Sequence, residues 1–390
     1  MDFNKEIKLS DLVRRPKKKA KATGATKPSS TKRKRHRKQE IVGLKIGASQ
    51  IAASRVVNNG GPAKLVQLAR VPLEPGVVVG GEVRNIAALA TALDRFFTEN
   101  KLPRRGIRLG IGTNRIGVRS IEIEGIEDER QLGNAVRFRA HEALSIPPDQ
   151  AVLDYHTVSE TVSDSGAVSR RVLLAASYKE PIDHYVDACR GARLELSSID
   201  VEAFALLRAV APQGEDGSDD KPAAASVVVS IGHDRSTLAI SDGTVCDFMR
   251  VLDWGGAKLE AAVARELGLT GAEAAELKLE LDLGGDAAAD DDPRVARARA
   301  AVGRELQTLA RELVSSLQFY QAQPGSLAIS EVRITGGTTR LPGLADELER
   351  LTRVPVRVGD PLAAVHVSNG LADRDDLASF AVAIGLGVER

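Results

Sequence analysis

The chain has 390 residues, of which 43% are hydrophobic, 27% charged and 3% aromatic, a composition typical of a soluble globular protein with more than one domain. Two cysteines exclude a disulfide framework, and six scattered histidines lack metal-ligand spacing. No apolar run reaches the roughly 18–20 residues that span a bilayer, and the charged N-terminus lacks the apolar segment of a secretory signal. The few aromatic residues argue against base-stacking platforms for nucleic acid in the folded body.

Charge is distributed unevenly along the chain. Residues 1–40 carry 15 Lys and Arg against 4 Asp and Glu, whereas the remainder has 39 basic and 49 acidic residues. This composition predicts a disordered basic tail over 1–40. Contact with anionic lipid, salt-dependent binding of nucleic acid and a solvated arm all stay open for it. Its apolar beginning also predicts a docking segment at residues 3–15.

Alternating strands and helices begin at Ile41. IVGLKIGASQIAASRVV predicts two strands joined by a turn at Gly47, and AKLVQLARVPL predicts a third strand. Helices are predicted at 85–100 and 129–144. AVLDYHTVSE and RRVLLAASY are typical of paired strands, and KEPIDHYVDACRGA, LELSSIDV and EAFALLRAV predict a helix, a strand and a helix.

The acidic loop at 212–225 is predicted to separate two halves. After it, SVVVSIGHDRSTLAISDGTVCDFMRVL repeats the strand–turn–strand design that opens the first half, so LKIGASQIAAS and VSIGHDRSTLAI form an internal repeat. A long helix is predicted at 294–322. SEVRITGGTTRLPGLADELERLT predicts a strand, a glycine turn and a helix, VPVRVGDP predicts a last strand, and DDLASFAVAIGLG predicts a closing helix.

Glycine turns follow several of the apolar strands, and each can present backbone N–H groups to an anion. Singly, none is specific, and Gly336-Gly337 alone is better explained as a strand-to-helix turn. Three such turns, two of them in the repeat, predict a nucleotide held between two related domains.

The order and residues of these segments resemble the actin-like ATPase superfamily and, within it, the PilM family of type IV pilus assembly proteins, itself similar to the cell-division protein FtsA. GLKIGASQIAA and VVVSIGHDRSTLAI are similar to the two phosphate segments, and VRITGGTTRLPGL to the adenosine segment. SSIDVEAFALLRA resembles the connecting segment of the family, and LSIPPDQAVLDYHTV resembles its inserted subdomain. The resemblance covers about residues 41–390.

The resemblance implies an α/β protein with the actin-like ATPase fold, in which two related RNase H-like domains surround a nucleotide cleft. The implied parts are a basic tail at 1–40, a first domain at 41–118 and 177–211, a small inserted subdomain at 119–176, a linker loop at 212–225 and a second domain at 226–390.

A site for ATP or ADP is also implied by the resemblance. The residues expected to bind the nucleotide are Lys45, Gly47, Ala48, Ser49, Asp200, Gly232, His233, Asp234, Gly255, Gly256, Glu276, Lys278, Gly336, Gly337 and Thr338. A solvated helix face is an equally open interpretation for Glu276 and Lys278. Neighbours on a turn usually point apart, so His233 and Asp234 are not expected to form an acid–base pair, and no catalytic residue is assigned.

Lys45 departs from the family pattern Gly-Ile-Asp-Ile-Gly, whose aspartate serves the magnesium shell. Ser230 replaces the corresponding aspartate of the second hairpin, whereas Asp200 is retained. Because magnesium is usually held by carboxylates together with phosphate oxygens and waters, these replacements predict weakened magnesium binding and an ATPase activity that is absent or very weak. Two hypotheses remain for Lys45: it binds a nucleotide phosphate without metal, or it pairs with Asp200 or Asp234 across an empty cleft.

By family resemblance, we expect a cytoplasmic scaffold of type IV pilus assembly, peripheral to the inner face of the cell membrane. A groove beside the inserted subdomain would bind the N-terminal peptide of a PilN-like inner-membrane partner. Other pilus machine components and, through residues 1–40, the anionic membrane are further expected partners, whereas nucleic acid is not. An active ATPase or small-molecule kinase of the same fold and a filament-forming actin-like protein are the alternatives.

Overall fold

The computed structural model describes residues 39–126, 128–144, 146–162, 168–211, 224–284, 292–367 and 370–389. The predicted tail, apart from its last two residues, and the predicted linker, apart from its last two residues, therefore lie outside the described part of the chain. The first strand begins at Gln39, two residues before the predicted start.

Strands and helices alternate through most of the described chain. The strands are β1 (Gln39–Ile46), β2 (Gln50–Asn58), β3 (Ala63–Pro72), β4 (Val78–Val79), β5 (Glu82–Val83), β6 (Ile107–Ile111), β7 (Ile116–Glu124), β8 (Ala151–Val162), β9 (Val168–Tyr178), β10 (Leu196–Val201), β11 (Ala224–Ile231), β12 (Ser236–Ser241), β13 (Cys246–Leu252), β14 (Ala328–Thr335), β15 (Val356–Val358) and β16 (Val365–Val367). The α-helices are α1 (Ile86–Glu99), α2 (Glu129–Leu144), α3 (Lys179–Gly191), α4 (Glu202–Val210), α5 (Gly256–Leu267), α6 (Gly271–Glu280), α7 (Pro293–Gln321), α8 (Leu344–Thr352) and α9 (Ala381–Gly387).

The first sheet has the strand order β10-β6-β1-β2-β3-β16. β1 and β2 form the antiparallel hairpin predicted from the sequence, and β6 joins β1 in parallel. Helices α1 and α3 pack on one face, where Leu89, Leu93, Phe96 and Phe97 of α1 are buried. Helix α9 packs on the other face. Coverage of both faces explains why β1 begins as a nearly continuous apolar run.

The second sheet repeats this design with the order β13-β12-β11-β14-β15. β11 and β12 form the second copy of the antiparallel hairpin, and β14 pairs with β11 in parallel. The long helix α7 contributes an apolar stripe to the core of this half, together with α5 and α8. The internal repeat seen in the sequence therefore corresponds to two similar sheets.

Helices α4 and α9 join the two halves. One apolar cluster contains residues of α4 and α9 together with Val228 of β11 and Ala239 of β12. The two helices lie very close together: a Cβ atom added to Gly385 would lie only 1.8 Å from the carbonyl oxygen of Ala205. Similarly, a Cβ atom at Gly43 would lie 2.0 Å from the carbonyl oxygen of Ala383. Glycine at both positions therefore permits the close packing of α9.

The predicted range 226–390 for the second domain is too long at its end, because the last strand and helix belong to the first sheet. β16 pairs with β3 of the first sheet, and α9 packs on β1 and β2. The apolar pattern of the closing segment predicts a buried helix but not the sheet that buries it. The close fit of its small residues against Gly43 and Ala205 decides that choice.

A smaller sheet with the order β7-β9-β8 and helix α2 forms a separate layer over 116–178, close to the range 119–176 expected for the inserted subdomain. Arg171 of β9 connects this layer to the second half. Its guanidinium donates to Asp242 at 2.8 Å and to Asp247 at 2.7 Å, at either side of the turn between β12 and β13.

No helix in the described residues is both long and apolar enough to cross a membrane. Both cysteines, Cys189 and Cys246, are buried free thiols. Burial raises the pKa of each thiol to about 12.

Candidate functional site

A cleft with a volume of about 230 Å³ lies between the two hairpin turns and is lined by both halves of the chain. Most residues expected at a nucleotide site meet there. Those lining the cleft are Lys45, Gly47, Ala48, Ser49, Gly232, His233, Asp234, Gly256, Lys278, Gly336, Gly337 and Thr338. Residues separated by almost 300 positions thus come together because the two sheets face each other.

Asp200, Gly255 and Glu276 are not among the residues that line the cleft. Asp200 is buried at the end of β10, where its carboxylate pairs with Arg208 of α4. Gly255 lies just outside the lining, against the backbone of His233. Glu276 is exposed on α6. Asp200 thus lies outside the cleft lining, paired with Arg208, and the exposure of Glu276 agrees with the alternative interpretation of a solvated helix face.

Lys45 pairs with Glu202, so the predicted pairing with Asp200 or Asp234 is wrong. Glu202 is the first residue of α4, and its side chain is only 4% exposed, against 21% for that of Lys45. Glycine at 112 makes room for this carboxylate, since an added Cβ would lie 2.6 Å from Glu202 Oε2. A buried carboxylate from the connecting segment therefore neutralises the unusual lysine.

A contact across the cleft involves the turn between β4 and β5. The carboxylate of Asp234 accepts a hydrogen bond from the N–H of Gly80 at 3.1 Å. Arg235, which is 7% exposed, donates from Nη1 to the carbonyl oxygen of Gly112 at 3.0 Å. Its Nε lies 3.6 Å from Asp234 Oδ2, beyond hydrogen-bond distance, and has no hydrogen-bond partner among the described residues. The turn between β11 and β12 is thus bound to the first half of the chain by two hydrogen bonds.

Several backbone groups predicted to face an anion are already used within the protein. The N–H of Gly47 donates to Gln50 at 2.9 Å, and that of Gly232 donates to Arg235 at 3.0 Å. At the beginning of α5, the N–H of Gly256 donates to the carbonyl oxygen of Gly232 at 2.9 Å. In this arrangement, these three N–H groups are therefore not available to an anion.

The cations that line the cleft are paired with carboxylates. Lys278 of α6 pairs with Glu260 of α5. Arg70 lies 2.9 Å from Asp376, and Arg340 lies 3.3 Å from Asp375. Arg374, followed by Arg70, holds the pKa of Asp376 below its ordinary value, against the opposing effect of burial. The cleft volume of about 230 Å³ is below the roughly 300–1,000 Å³ typical of ligand pockets.

The donor set does not fit hydrated magnesium well. Among the described residues, no three His, Cys, Asp or Glu side chains converge as metal ligands. The carboxylates in the cleft lining are those of Glu202 and Asp234, and they contact Lys45 and Gly80. An ammonium group where a metal-shell carboxylate was expected favours an anion, because it attracts phosphate oxygens and repels a divalent cation.

A family model described as type IV pilus assembly protein PilM matches residues 43–390. The chain belongs to this family. A chain of a solved PilM-PilN type IV pilus biogenesis complex is 28% identical, with a TM-score of 0.73, and the match covers 89% of this chain and 97% of that chain. The family predicted from the resemblance is thereby confirmed.

More distant relatives share the fold. The cell division protein FtsA of Escherichia coli K12 is 23% identical over 387 residues, with 89% of each chain covered. The structure of MreB5 of Spiroplasma citri bound to ADP is 10% identical, with a TM-score of 0.51, and the match covers 89% of this PilM-family chain and 94% of MreB5. Together these similarities confirm the predicted actin-like ATPase fold.

Glu202 and Arg235 are the main residues of the cleft that the sequence analysis missed. Glu202 lies within SSIDVEAFALLRA, at the head of a helix in which Arg208 is the only other charged residue. A charge that begins a buried helix requires a partner, so this position carried a usable signal. Arg235 directly follows the predicted Asp234, but nothing in its neighbourhood indicated that its side chain is buried.

Proposed function

We propose that this chain is a cytoplasmic scaffold of type IV pilus assembly that binds the N-terminal peptide of a PilN-like partner at the inner face of the cell membrane. The observation that carries the proposal is the 28% identity to a chain of a PilM-PilN type IV pilus biogenesis complex, with 97% of that chain covered. A similarity that covers nearly the whole of that chain makes a PilN-like protein the first partner to test.

The inserted layer offers an edge suited to an extended peptide. β8 pairs with β9 along one edge, and no strand within the described residues pairs with its other edge. An extended peptide can add to such an edge through main-chain hydrogen bonds, while neighbouring pockets select its side chains. We place the peptide beside β8, in the groove expected next to the inserted subdomain.

The cleft supports a nucleotide site that is poor in hydrolysis or degenerate. Lys45 and Ser230 replace the two expected aspartates, and Glu202 neutralises Lys45. Hydrolysis of a nucleotide requires stabilisation of phosphate charge and an oriented water. With these replacements, a bound nucleotide would bias the arrangement of the two halves rather than undergo turnover.

Peptide binding is tested by calorimetric titration of the chain with the N-terminal peptide of a PilN-like protein from the same organism. A scrambled peptide of the same composition is the control. We expect saturable binding of the native peptide alone, with slower amide hydrogen exchange in β8 on binding. Absence of binding, or protection confined to the second half of the chain, would contradict the proposal.

Phosphate release measured with ATP and magnesium separates the scaffold from an active ATPase or kinase of the same fold. We expect release no faster than in the buffer blank. Turnover that follows the protein concentration through purification would favour the enzyme. Sedimentation with and without ATP tests the filament-forming alternative, for which we expect no pelleted polymer.

A further inference from the structure

The Lys45–Glu202 pair joins two elements at the base of the cleft. Lys45 is near the end of β1, beside the turn at Gly47, and Glu202 begins α4. Both residues line the cleft, but the lysine side chain is 21% exposed, whereas that of the glutamate is only 4% exposed. An anion that enters the cleft therefore meets the lysine first and competes with Glu202 for it.

We propose that the cleft is a metal-free polyphosphate site in which Lys45 exchanges Glu202 for a phosphate oxygen of the ligand. Glu202 is then an internal competitor that sets the affinity, and magnesium weakens binding. This inference rests on the proposed nucleotide site and specifies the form of the ligand that the site accepts.

Two features near Glu202 are complementary to its negative charge when Lys45 contacts a ligand instead. The carboxylate lies in the first turn of α4, where unsatisfied N–H groups and the helix dipole favour negative charge. Gly112 separates it from a second cation, since Arg235 donates to the carbonyl oxygen of this glycine and a Cβ there would lie 2.6 Å from Glu202 Oε2. The buried Nε of Arg235 has no hydrogen-bond partner among the described residues, and this residue also lines the cleft. These groups partly compensate the carboxylate for the loss of its contact with Lys45.

Magnesium opposes binding for two reasons. A divalent ion bound to polyphosphate reduces the negative charge that Lys45 attracts, and its own charge is repelled by the ammonium group. Ser230 lines the cleft on the opposite hairpin, where it supplies a hydroxyl in place of a carboxylate. Among the described residues, no group of three His, Cys, Asp or Glu side chains converges to hold a magnesium ion against this repulsion.

The test is calorimetric titration of the full chain with ATP, ADP, tripolyphosphate and inorganic phosphate, each in EDTA and again in excess magnesium. We expect binding of ATP in EDTA and a loss of at least about tenfold in affinity with magnesium, since a charge-assisted contact of this kind is worth about one decade or more. Binding of tripolyphosphate as well as ATP assigns recognition to the phosphate chain, whereas binding of ATP alone assigns it to a nucleotide. Either pattern supports the metal-free site.

Variants assign the exchange to the two residues. Lys45→Met is expected to weaken binding in EDTA by at least about tenfold, Lys45→Arg to retain it, and Glu202→Gln to tighten it because the internal competitor loses its charge. Lys64→Met on β3 and Glu180→Gln in the first turn of α3 are matched controls, because both residues are exposed and lie outside the cleft lining. They are expected to leave affinity unchanged.

Stronger binding with magnesium, no binding under any condition, or an unchanged affinity in Lys45→Met would overturn the inference. If Lys45→Met does not fold, the double variant Lys45→Met with Glu202→Gln removes both charges, and its retention of wild-type affinity would have the same meaning. Peptide binding on the same preparation separates the two proposals. Loss of polyphosphate binding with intact peptide binding removes this inference and leaves the scaffold standing.

Discussion

Asp234 accepts a hydrogen bond from the backbone N–H of Gly80 at 3.1 Å, and this contact joins the two halves of the protein across the cleft. Gly80 lies in the turn between β4 and β5, and Asp234 follows the second glycine turn. Arg235 reinforces the contact from the same loop by donating to the carbonyl oxygen of Gly112. The residue expected to contact phosphate therefore holds the cleft closed in this arrangement.

Replacement of Asp234 by alanine is expected to loosen this closure. A hydrogen bond to a charged group is worth about 1.5–3 kcal/mol, and partial exposure of the carboxylate places it at the lower end, so the Gly80 amide should exchange about tenfold faster. Native-state hydrogen exchange followed by mass spectrometry measures this rate. Asp253→Ala, which removes an exposed carboxylate from the same half, is the control. Equal rates in both variants would show that the contact does not restrain the turn.

The Gly80-Gly81 turn provides a matched pair of substitutions. Both glycines have positive φ, at 65° and 67°, so alanine at either position costs about 1–2 kcal/mol in backbone strain. A Cβ at Gly81 would also lie 2.5 Å from the carbonyl oxygen of Gly112, whereas at Gly80 the nearest atom is Arg235 Nη2 at 3.1 Å. Gly81→Ala should therefore lower the free energy of unfolding by about 1–3 kcal/mol more than Gly80→Ala. Urea denaturation measures both, and equal losses would contradict the packing argument.

Arg171 is expected to hold the inserted layer against the second half. Arg171→Ala removes two charge-assisted hydrogen bonds to Asp242 and Asp247. Because the arginine side chain is 28% exposed, we expect a loss of only about 1–2 kcal/mol in the free energy of unfolding, near the lower part of the usual range. Faster limited proteolysis of the inserted layer should accompany it.

Arg105→Ala serves as the control for Arg171. Arg105 pairs with Glu195, but the two side chains are 87% and 70% exposed, and such surface pairs contribute little. Denaturation and proteolysis should be nearly unchanged in this variant. Comparable losses in both variants would mean that the Arg171 contacts do not anchor the layer.

Acid is expected to weaken the same junction through Asp242. Burial disfavours its charged form, but the N–H groups of Val245 and Thr244 and the Arg171 guanidinium outweigh that effect and hold its pKa below the ordinary 3.8. A lowered pKa in the folded state gives stability that is fully present above the unfolded value and is lost as pH falls through the folded value. Denaturation between pH 5 and about 2 should therefore show a shallower fall in Asp242→Asn than in the wild type. Parallel curves would contradict this assignment.

The two cysteines are expected to be unreactive in the folded protein. Burial raises the pKa of Cys189 and Cys246 to about 12, so the nucleophilic thiolate is scarce at pH 8. A disulfide reagent such as DTNB should label neither residue until denaturant unfolds the chain. Rapid labelling of the native protein would show that at least one of these elements opens readily.

Sequence patterns were sufficient to predict the strands, turns and helices that are determined by residues close together in the chain. The apolar runs around Gly47 and Gly232 predicted both hairpins, and the internal repeat predicted two facing halves. The periodicity of the 294–322 segment predicted a long helix within one residue at each end, because its apolar stripe and its boundaries are encoded in neighbouring residues. Most of the residues that the motifs assigned to a nucleotide site likewise line the cleft.

By itself, the sequence determined the α/β class, the repeated hairpins, the family and the replacement of an expected aspartate by Lys45. Only the tertiary structure decided that Glu202 neutralises this lysine, that Asp200 forms an ion pair with Arg208 and that α9 packs on the first sheet. Hydrophobic periodicity and turn chemistry act between neighbours in the chain, so a sequence displays them directly. The partner of a charge depends on distances between elements 157 residues apart, and those distances exist only after the sheets and helices have packed.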